Sequence, residues 1–199
     1  MALDKDILYK NLLRTFKGMA GNDDFAKGVG DACAQYLKLG QVVSEIGSAP
    51  PGSITCDGSL VKATVDPACA TMGAQPPETI QYTGDEILAT AMSKGMDDMM
   101  SAMQVSGGNV ASATMISDPD ALKTLHDGIL DTFEEMKKKP EDDESDPSSE
   151  PDADPEPPRD KDEIMAEGIT DAFTDYLTHA KLTVTNTMSP PQTGPGKIV

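Results

Sequence analysis

Two segments of the chain, residues 28–37 (GVGDACAQYL) and residues 168–177 (GITDAFTDYL), share a glycine, an aspartate, an alanine, a tyrosine and a leucine without a gap. The offset between them is 168 − 28 = 140 residues. The same offset carries Ala26 onto Ala166 and the Pro-Pro pair at 50–51 onto the pair at 190–191. The similarity extends beyond one element, so the sequence predicts a duplicated unit.

Weaker copies appear where a glycine and an aspartate have the same spacing, at Gly95 and Asp98 and at Gly128 and Asp131. In each copy, apolar side chains stand at offsets of −3, +1, +5 and +8 from the glycine, which places them on one stripe of an α-helix. The sequence thus predicts four similar helices, and an amphipathic fifth from Leu3 to about Met19. The candidates for helix packing and interfaces are Gly28, Asp31, Tyr36, Gly95, Asp98, Gly128, Asp131, Gly168, Asp171 and Tyr176.

A glycine inside a helix costs roughly 1 kcal/mol relative to alanine. Close approach of a neighbouring helix offsets this cost, and it is the interpretation we favour for the four shared glycines. A tolerated surface glycine is the alternative.

Extended segments are expected after the first and last of the four similar helices. Residues 41–46 and 181–187 are β-branched and partly alternating, and Pro, Gly and Ser follow them. Residues 49–82 are Pro/Gly-rich without strong periodicity, which indicates an ordered loop or arm. We therefore predict a mainly α fold with short β segments and extended arms, built from about five helices and a duplicated helix-plus-arm unit.

Five regions follow from this pattern. They are an N-terminal helix (1–21), a first helix-arm repeat (22–82), a two-helix segment with degenerate repeats (83–139), an acidic Pro-rich linker (140–160) and a second helix-arm repeat (161–199).

The linker carries half of the net charge of −18. Its ten acids and one Arg give −9, and it has no apolar residue larger than Ala. Such a segment cannot bury enough surface to offset its ordering entropy. We interpret it as a solvated linker, and the alternative is an acidic docking tail or a low-affinity cation sink.

The remaining composition excludes several classes of protein. A surface this negative repels phosphate, so neither direct nucleic-acid binding nor docking on an anionic membrane is expected. The apolar runs are far shorter than the roughly 20 residues that span a bilayer, and the first residues do not resemble a secretory signal. Only 4% of residues are aromatic, which suggests that partner chains complete the core.

No chemical motif assembles in the sequence. Three cysteines argue against a disulfide framework, although a bridge between Cys56 and Cys69 is sterically possible. The histidines, His126 and His179, stand far apart, and the glycine patterns at 28–33 and 191–197 lack the spacing of nucleotide-binding loops. We predict no catalytic residue, no cofactor and no metal, and hence no enzyme.

The segment from Gly168 to Val199 runs from an amphipathic helix through KLTVTNT and a Pro-Pro pair to TGPGKIV. It resembles small virion structural proteins of tailed bacteriophages, in which such a helix leads into a Pro/Gly-rich tail. The resemblance implies a building block of a tail, baseplate, neck or capsid, made in the host cytoplasm and located in the virion.

The expected function is a non-enzymatic, oligomeric adaptor of a phage particle. Its expected partners are further copies of itself, as a homo-oligomer, and other virion proteins. The alternative is an acidic scaffolding or chaperone protein that binds basic partners through residues 140–160.

Overall fold

The computed structural model describes residues 3–19, 22–46, 50–74, 84–138 and 160–199. These ranges contain six helices. The helices are α1 (Lys5–Gly18), α2 (Asn22–Leu39), α3 (Ser59–Ala74), α4 (Gly84–Ser101), α5 (Pro119–Lys137) and α6 (Lys161–His179).

Six strands form one antiparallel sheet in the order β3-β2-β1-β6-β5-β4. The edge strands, β3 and β4, are consecutive in the chain and contact each other, so the sheet bends into a nearly closed barrel. The strands are β1 (Gln41–Ser44), β2 (Gly52–Thr55), β3 (Gln104–Ser106), β4 (Val110–Ile116), β5 (Lys181–Asn186) and β6 (Thr193–Ile198).

The prediction of a mainly α fold with short β segments is wrong, because this barrel makes the protein an α+β fold. The segments predicted as arms are strands β1 and β5, hydrogen-bonded within the barrel. The prediction of about five helices omitted α3, which lies in the Pro/Gly-rich region and contains Pro67. Two further strands, β3 and β4, lie between the two helices expected in 83–139.

Three consecutive units, each of two helices followed by two strands, account for all twelve described elements. The unit is therefore present three times, not twice. Each helix contacts the helices before and after it in the chain, and α6 returns to α1, so the six helices form a closed ring. The strands follow the same cyclic order, which gives ring and barrel an approximate three-fold arrangement.

Helices start at the caps that their sequences supply. The side chains of Asp4, Asp118 and Asp160 accept hydrogen bonds from the backbone N–H two residues later, at 3.0, 3.1 and 3.3 Å. Asp57 accepts from the N–H of Ser59 at the start of α3 in the same way, at 2.9 Å. The predicted acidic linker lies almost wholly outside the described residues, except for the cap Asp160.

The core is continuous from ring to barrel. The second helix of each unit is buried along the predicted stripe, and the barrel is filled by aliphatic side chains. The stripe residues are Val29, Cys33 and Tyr36 on α2, Met96 and Met100 on α4 with Met103 just after it, and Ile169, Phe173 and Tyr176 on α6; the barrel residues are Val42, Ile54, Val110, Leu182 and Val184.

Two glycines allow so narrow a barrel to close. A Cβ at Gly196 would overlap the side chain of Val184 and lie 2.9 Å from the carbonyl oxygen of Val43. A Cβ at Gly194 would overlap the side chain of Ile46. The absence of a side chain at both positions lets β6 pack closely against the strands on either side.

Candidate interaction surface

The shared glycines of α2, α4 and α6 each lie against a threonine of the first helix of the same unit. At all three, a Cβ would overlap that threonine. At Gly95 it would also lie 2.8 Å from the Cα of Val61, which is backbone and cannot rotate away. The pairs are Gly28 with Thr15, Gly95 with Thr64, and Gly168 with Thr132.

Gly128 differs from the other three, because it lies on α5, the first helix of its unit. A Cβ there would lie 2.9 Å from the Cβ of Ala172 on α6. The same glycine-to-aspartate spacing therefore occurs on the second helix of all three units and on the first helix of the third unit.

The four aspartates of the pattern lie at the surface of the ring. Asp31 and Asp98 pair with the lysine four residues earlier, Lys27 and Lys94, at 2.6 and 2.8 Å. Asp171 instead pairs with Lys5 of α1 at 3.2 Å, and Asp131 is exposed. Such exposed pairs contribute little to stability, so these residues chiefly make the ring surface charged.

The equivalent tyrosines differ in what their hydroxyl groups contact. Tyr176 donates a 2.6 Å hydrogen bond to Oδ1 of Asp97, which also accepts from the hydroxyl of Ser117 at 3.0 to 3.2 Å. Burial, and then the neighbouring Asp97, raise the pKa of Tyr176. The Tyr36 hydroxyl makes no hydrogen bond to any residue that the structure describes.

Asp97 was missed by the sequence analysis, although it is 8% exposed and joins α4 to α6. It stands directly before Asp98 and looks like one more helix-surface acid. The one available signal was its offset of +2 from Gly95, where the other two second helices carry Gly30 and Thr170.

The cysteines are free thiols, and burial raises the pKa of each of them. Thiols with raised pKa values hold little nucleophilic thiolate near neutral pH. His126 contacts Asp127, and His179 contacts the carbonyl of Asp175. Within the described ranges, no three His, Cys, Asp or Glu side chains are grouped so as to hold a metal ion.

A cavity of about 560 Å³ opens at the end of the ring remote from the barrel. Residues from all six helices line it, and most are apolar. Among them are Met19, Phe25, Met72, Leu88, Met136 and Met165, with the ion pair of Lys137 and Asp85 at the rim.

The barrel differs from the ring in charge. The ranges 40–56, 103–117 and 181–199 contain three charged side chains, Glu45, Lys181 and Lys197, with a sum of +1. The rest of the chain therefore carries −18 − 1 = −19. Lys181 lies at the junction with the ring, where it pairs with Asp118 and thereby lowers the pKa of that carboxyl.

Most exposed side chains on the outer wall of the barrel are small and uncharged, with Lys181 and Lys197 as the charged exceptions on β5 and β6. The uncharged ones are Ser53, Thr55, Gln104, Ser106, Ala111, Ser112, Thr114, Thr193 and Pro195.

Described residues of the three connections, between β1 and β2, β3 and β4, and β5 and β6, meet at the end of the barrel remote from the ring, which we call the tip. The N–H of Asn109 donates to the carbonyl of Pro50 at 3.2 Å, and the N–H of Thr187 donates to the carbonyl of Asn109 at 2.9 Å. Around these hydrogen bonds, Met188 is 48% exposed, and Pro190 and Pro191 are also exposed. Backbone hydrogen bonds thus hold the described part of the tip, in which Glu45, at the start of the first connection, is the charged side chain.

None of the helices in the described part of the chain is both long and apolar enough to cross a bilayer. Comparison with known proteins gives no match to any family model, any curated protein or any solved structure.

Proposed function

We propose that this protein is a non-enzymatic structural component of a bacteriophage virion, an adaptor that joins other virion proteins. The observation that carries the proposal is the low charge of the barrel, where Glu45, Lys181 and Lys197 are the charged side chains among the described residues, beside a strongly acidic ring. Depletion of charge is the compositional mark of the buried part of protein interfaces, because uncharged surface costs less to dehydrate.

The use of the polar residues supports a structural role. Several described aspartates cap helices, others pair with lysines on the helix surface, and Asp97 holds a buried tyrosine. A catalytic site requires groups that converge on an open space. The large cavity is instead lined mostly by methionine and other apolar side chains.

The way in which such an adaptor assembles differs from the sequence-based expectation. The extended segments are paired within the chain's own barrel, so they are not free to add strands to a neighbour. Among the described residues, 34 apolar side chains are buried in the chain's own core, so the low aromatic content no longer calls for partner chains. Homo-oligomerisation and contacts with other virion proteins remain part of the proposal, through surfaces and not through exchanged strands.

Quantitative proteomics of purified phage particles tests this proposal. We expect the chain in mature particles at a fixed ratio to the other structural proteins. Its absence from mature particles, or a copy number that varies between preparations, would contradict a structural role.

A scaffolding function through residues 140–160 is the second candidate, favoured by the −9 charge of that segment. A scaffold is present in precursor particles and absent from mature ones. Deletion of 140–160 distinguishes the two functions: a scaffold loses its partners, whereas an adaptor that uses the barrel keeps them.

A further inference from the structure

We propose that the pocket between the third and first units, lined in part by Leu3, Tyr36, Thr174, Leu177 and Ile198, binds a small uncharged amphiphile. The ligand class is an aliphatic molecule that carries one hydroxyl or amide group. Two observations carry this inference: the size and lining of the pocket, and the buried Tyr36 hydroxyl, which has no hydrogen-bond partner among the described residues. The inference does not depend on the proposed function.

The pocket lies where α6 of the third unit meets α1 and α2 of the first unit and strand β6. Its volume is about 470 Å³, within the range of about 300–1,000 Å³ that small-molecule sites occupy. Most of the wall is aliphatic, and the aliphatic side chains are partly exposed. They are Leu3, Leu177, Ile198 and Val199. The pocket therefore offers apolar surface that a chain of methylene groups can cover.

Tyr36 supplies the polar part of the pocket. Its side chain is 2% exposed, and its hydroxyl group bonds no residue that the structure describes. Among the described side chains, the fully enclosed polar atom without a partner is Nδ2 of Asn186. The unbonded hydroxyl of Tyr36 is therefore not sealed in the core but opens onto the pocket that Tyr36 lines.

The equivalent tyrosine at the junction of the second and third units has its partners within the chain. Tyr176 donates to Oδ1 of Asp97 at 2.6 Å, and its oxygen lies 3.6 Å from the sulfur of Met115. At the junction with the pocket, Thr170 takes the position of Asp97 and donates to the carbonyl of Ala166 on its own helix at 2.6 Å. One tyrosine is thus satisfied internally, and the other is left for an external partner.

The charges near the hydroxyl favour an uncharged ligand. Burial, and then the carboxylate of Asp4, raise the pKa of Tyr36, so the hydroxyl keeps its proton near neutral pH and can donate it. Asp4 repels an anion, and Lys5 at the edge of the pocket is already paired with Asp171 at 3.2 Å. An ammonium group would lose its hydration without a counter-ion, since none of the described lining residues has a carboxylate side chain.

Two threonines of α6 narrow the ligand class further. Thr174 donates to the carbonyl of Thr170 at 2.8 Å, and Thr178 donates to the carbonyl of Asp175 at 2.7 Å. Because these hydroxyl protons are used within the helix, the threonines offer the pocket oxygen atoms that accept. A ligand that accepts from Tyr36 and donates to a threonine needs a hydroxyl or amide group.

Titration of the methyl-labelled full chain with 1-octanol, followed by NMR, tests the inference. We expect saturable shifts of the Leu177 and Ile198 methyl signals, while Leu88 reports on the cavity at the other end of the ring. Octanoate and octylamine have the same chain length and carry a charge. They should bind about tenfold more weakly or less, because that charge has to be dehydrated.

Tyr36→Phe removes the hydroxyl, and Tyr176→Phe is the matched control at the other junction. We expect Tyr36→Phe to weaken binding of 1-octanol about fivefold, which corresponds to one hydrogen bond of about 1 kcal/mol. Tyr176→Phe should leave the affinity unchanged. Unfolding midpoints of both variants, well above the temperature of the titration, show that each is folded when binding is measured.

The outcomes are distinct. Absence of saturable shifts at Leu177 and Ile198, shifts at Leu88 alone, or equal affinities of the parent and Tyr36→Phe would overturn the site. Equal or tighter binding of octanoate or octylamine would overturn the uncharged ligand class. None of these results bears on the adaptor, whose test is the composition of purified particles.

Discussion

The ring and the barrel are built in opposite ways. The ring helices contain local sequence signals that favour helix formation, namely capping aspartates, apolar stripes and lysine-aspartate pairs four residues apart. Barrel strands are three to seven residues long, come from three separate parts of the chain, and close only because glycines permit it. The difference indicates that local sequence specifies the ring, while contacts between units specify the barrel.

The largest effect is expected from filling the barrel. Gly196→Val places side-chain atoms against Val184 and the Val43 carbonyl, so we expect a loss of about 3 kcal/mol or more in the free energy of unfolding. Urea denaturation measures it. Gly18→Val is the control, because nothing lies within 4 Å of a Cβ at Gly18 in the ring. A similar loss in both variants would show that the barrel is no less tolerant than the ring.

The junction between ring and barrel is tested at the repeated tyrosines. Tyr176→Phe leaves buried Asp97 without one of its donors, which typically costs about 1–3 kcal/mol. Tyr36→Phe removes a hydroxyl that bonds no described residue and should cost under about 1 kcal/mol on the same scale. Thermal unfolding of both variants measures the difference. Equal losses would mean that Asp97 does not distinguish the two units.

Helix packing within the ring gives a smaller effect. Gly168→Ala gains up to about 1 kcal/mol in helix propensity but crowds Thr132, so we expect a net loss of about 1 kcal/mol. Gly18→Ala, on open surface, should leave stability unchanged or raise it. Chemical denaturation of the pair decides this, and a net gain from Gly168→Ala would remove close approach as the reason for the shared glycine.

The smallest effect concerns pH at the caps. The hydrogen bond from Lys181, and then the N–H of Asp120, lower the pKa of Asp118. A carboxyl with a lower pKa in the folded state contributes stability above its unfolded pKa of about 3.9, and loses it as the pH falls through the folded pKa. Asp118→Asn keeps the cap acceptor without the charge. It should be less stable than the parent at pH 7 and equally stable in strong acid, as unfolding curves across that range will show; a difference that persists in acid would assign the effect to geometry.

Sequence reasoning succeeded where signals repeat at short range. The apolar stripe was predicted correctly on α2, α4 and α6, because a helix places residues three and four apart side by side. The offset of 140 residues also marks two equivalent positions in the fold, since it carries α2 and β1 onto α6 and β5.

The middle unit was not predicted, because its helix and strand patterns in the sequence are weak. Helix α3 contains Pro67 and is apolar with little amphipathic contrast, and β4 is a run of alanine, serine and threonine with no clear alternation. Its glycine and aspartate at 95 and 98 were found, but the unit around them was not. A third copy is therefore evident only once the elements are placed in space.

The candidate site shows the same division. The sequence located where charge is concentrated, but it did not reveal that the uncharged residues of three distant segments form one surface. Asp97 likewise gained its role from Tyr176, which stands 79 residues away.

The amino-acid sequence by itself determined five of the six described helices and two copies of the internal repeat, because these depend on residues within a few positions of each other or on identity between copies. Only the tertiary structure decided the third unit, the closure of ring and barrel, and the uncharged surface. A strand of three to seven residues gains its hydrogen bonds and burial only when its neighbours are in place, so the information for the barrel lies in contacts between units.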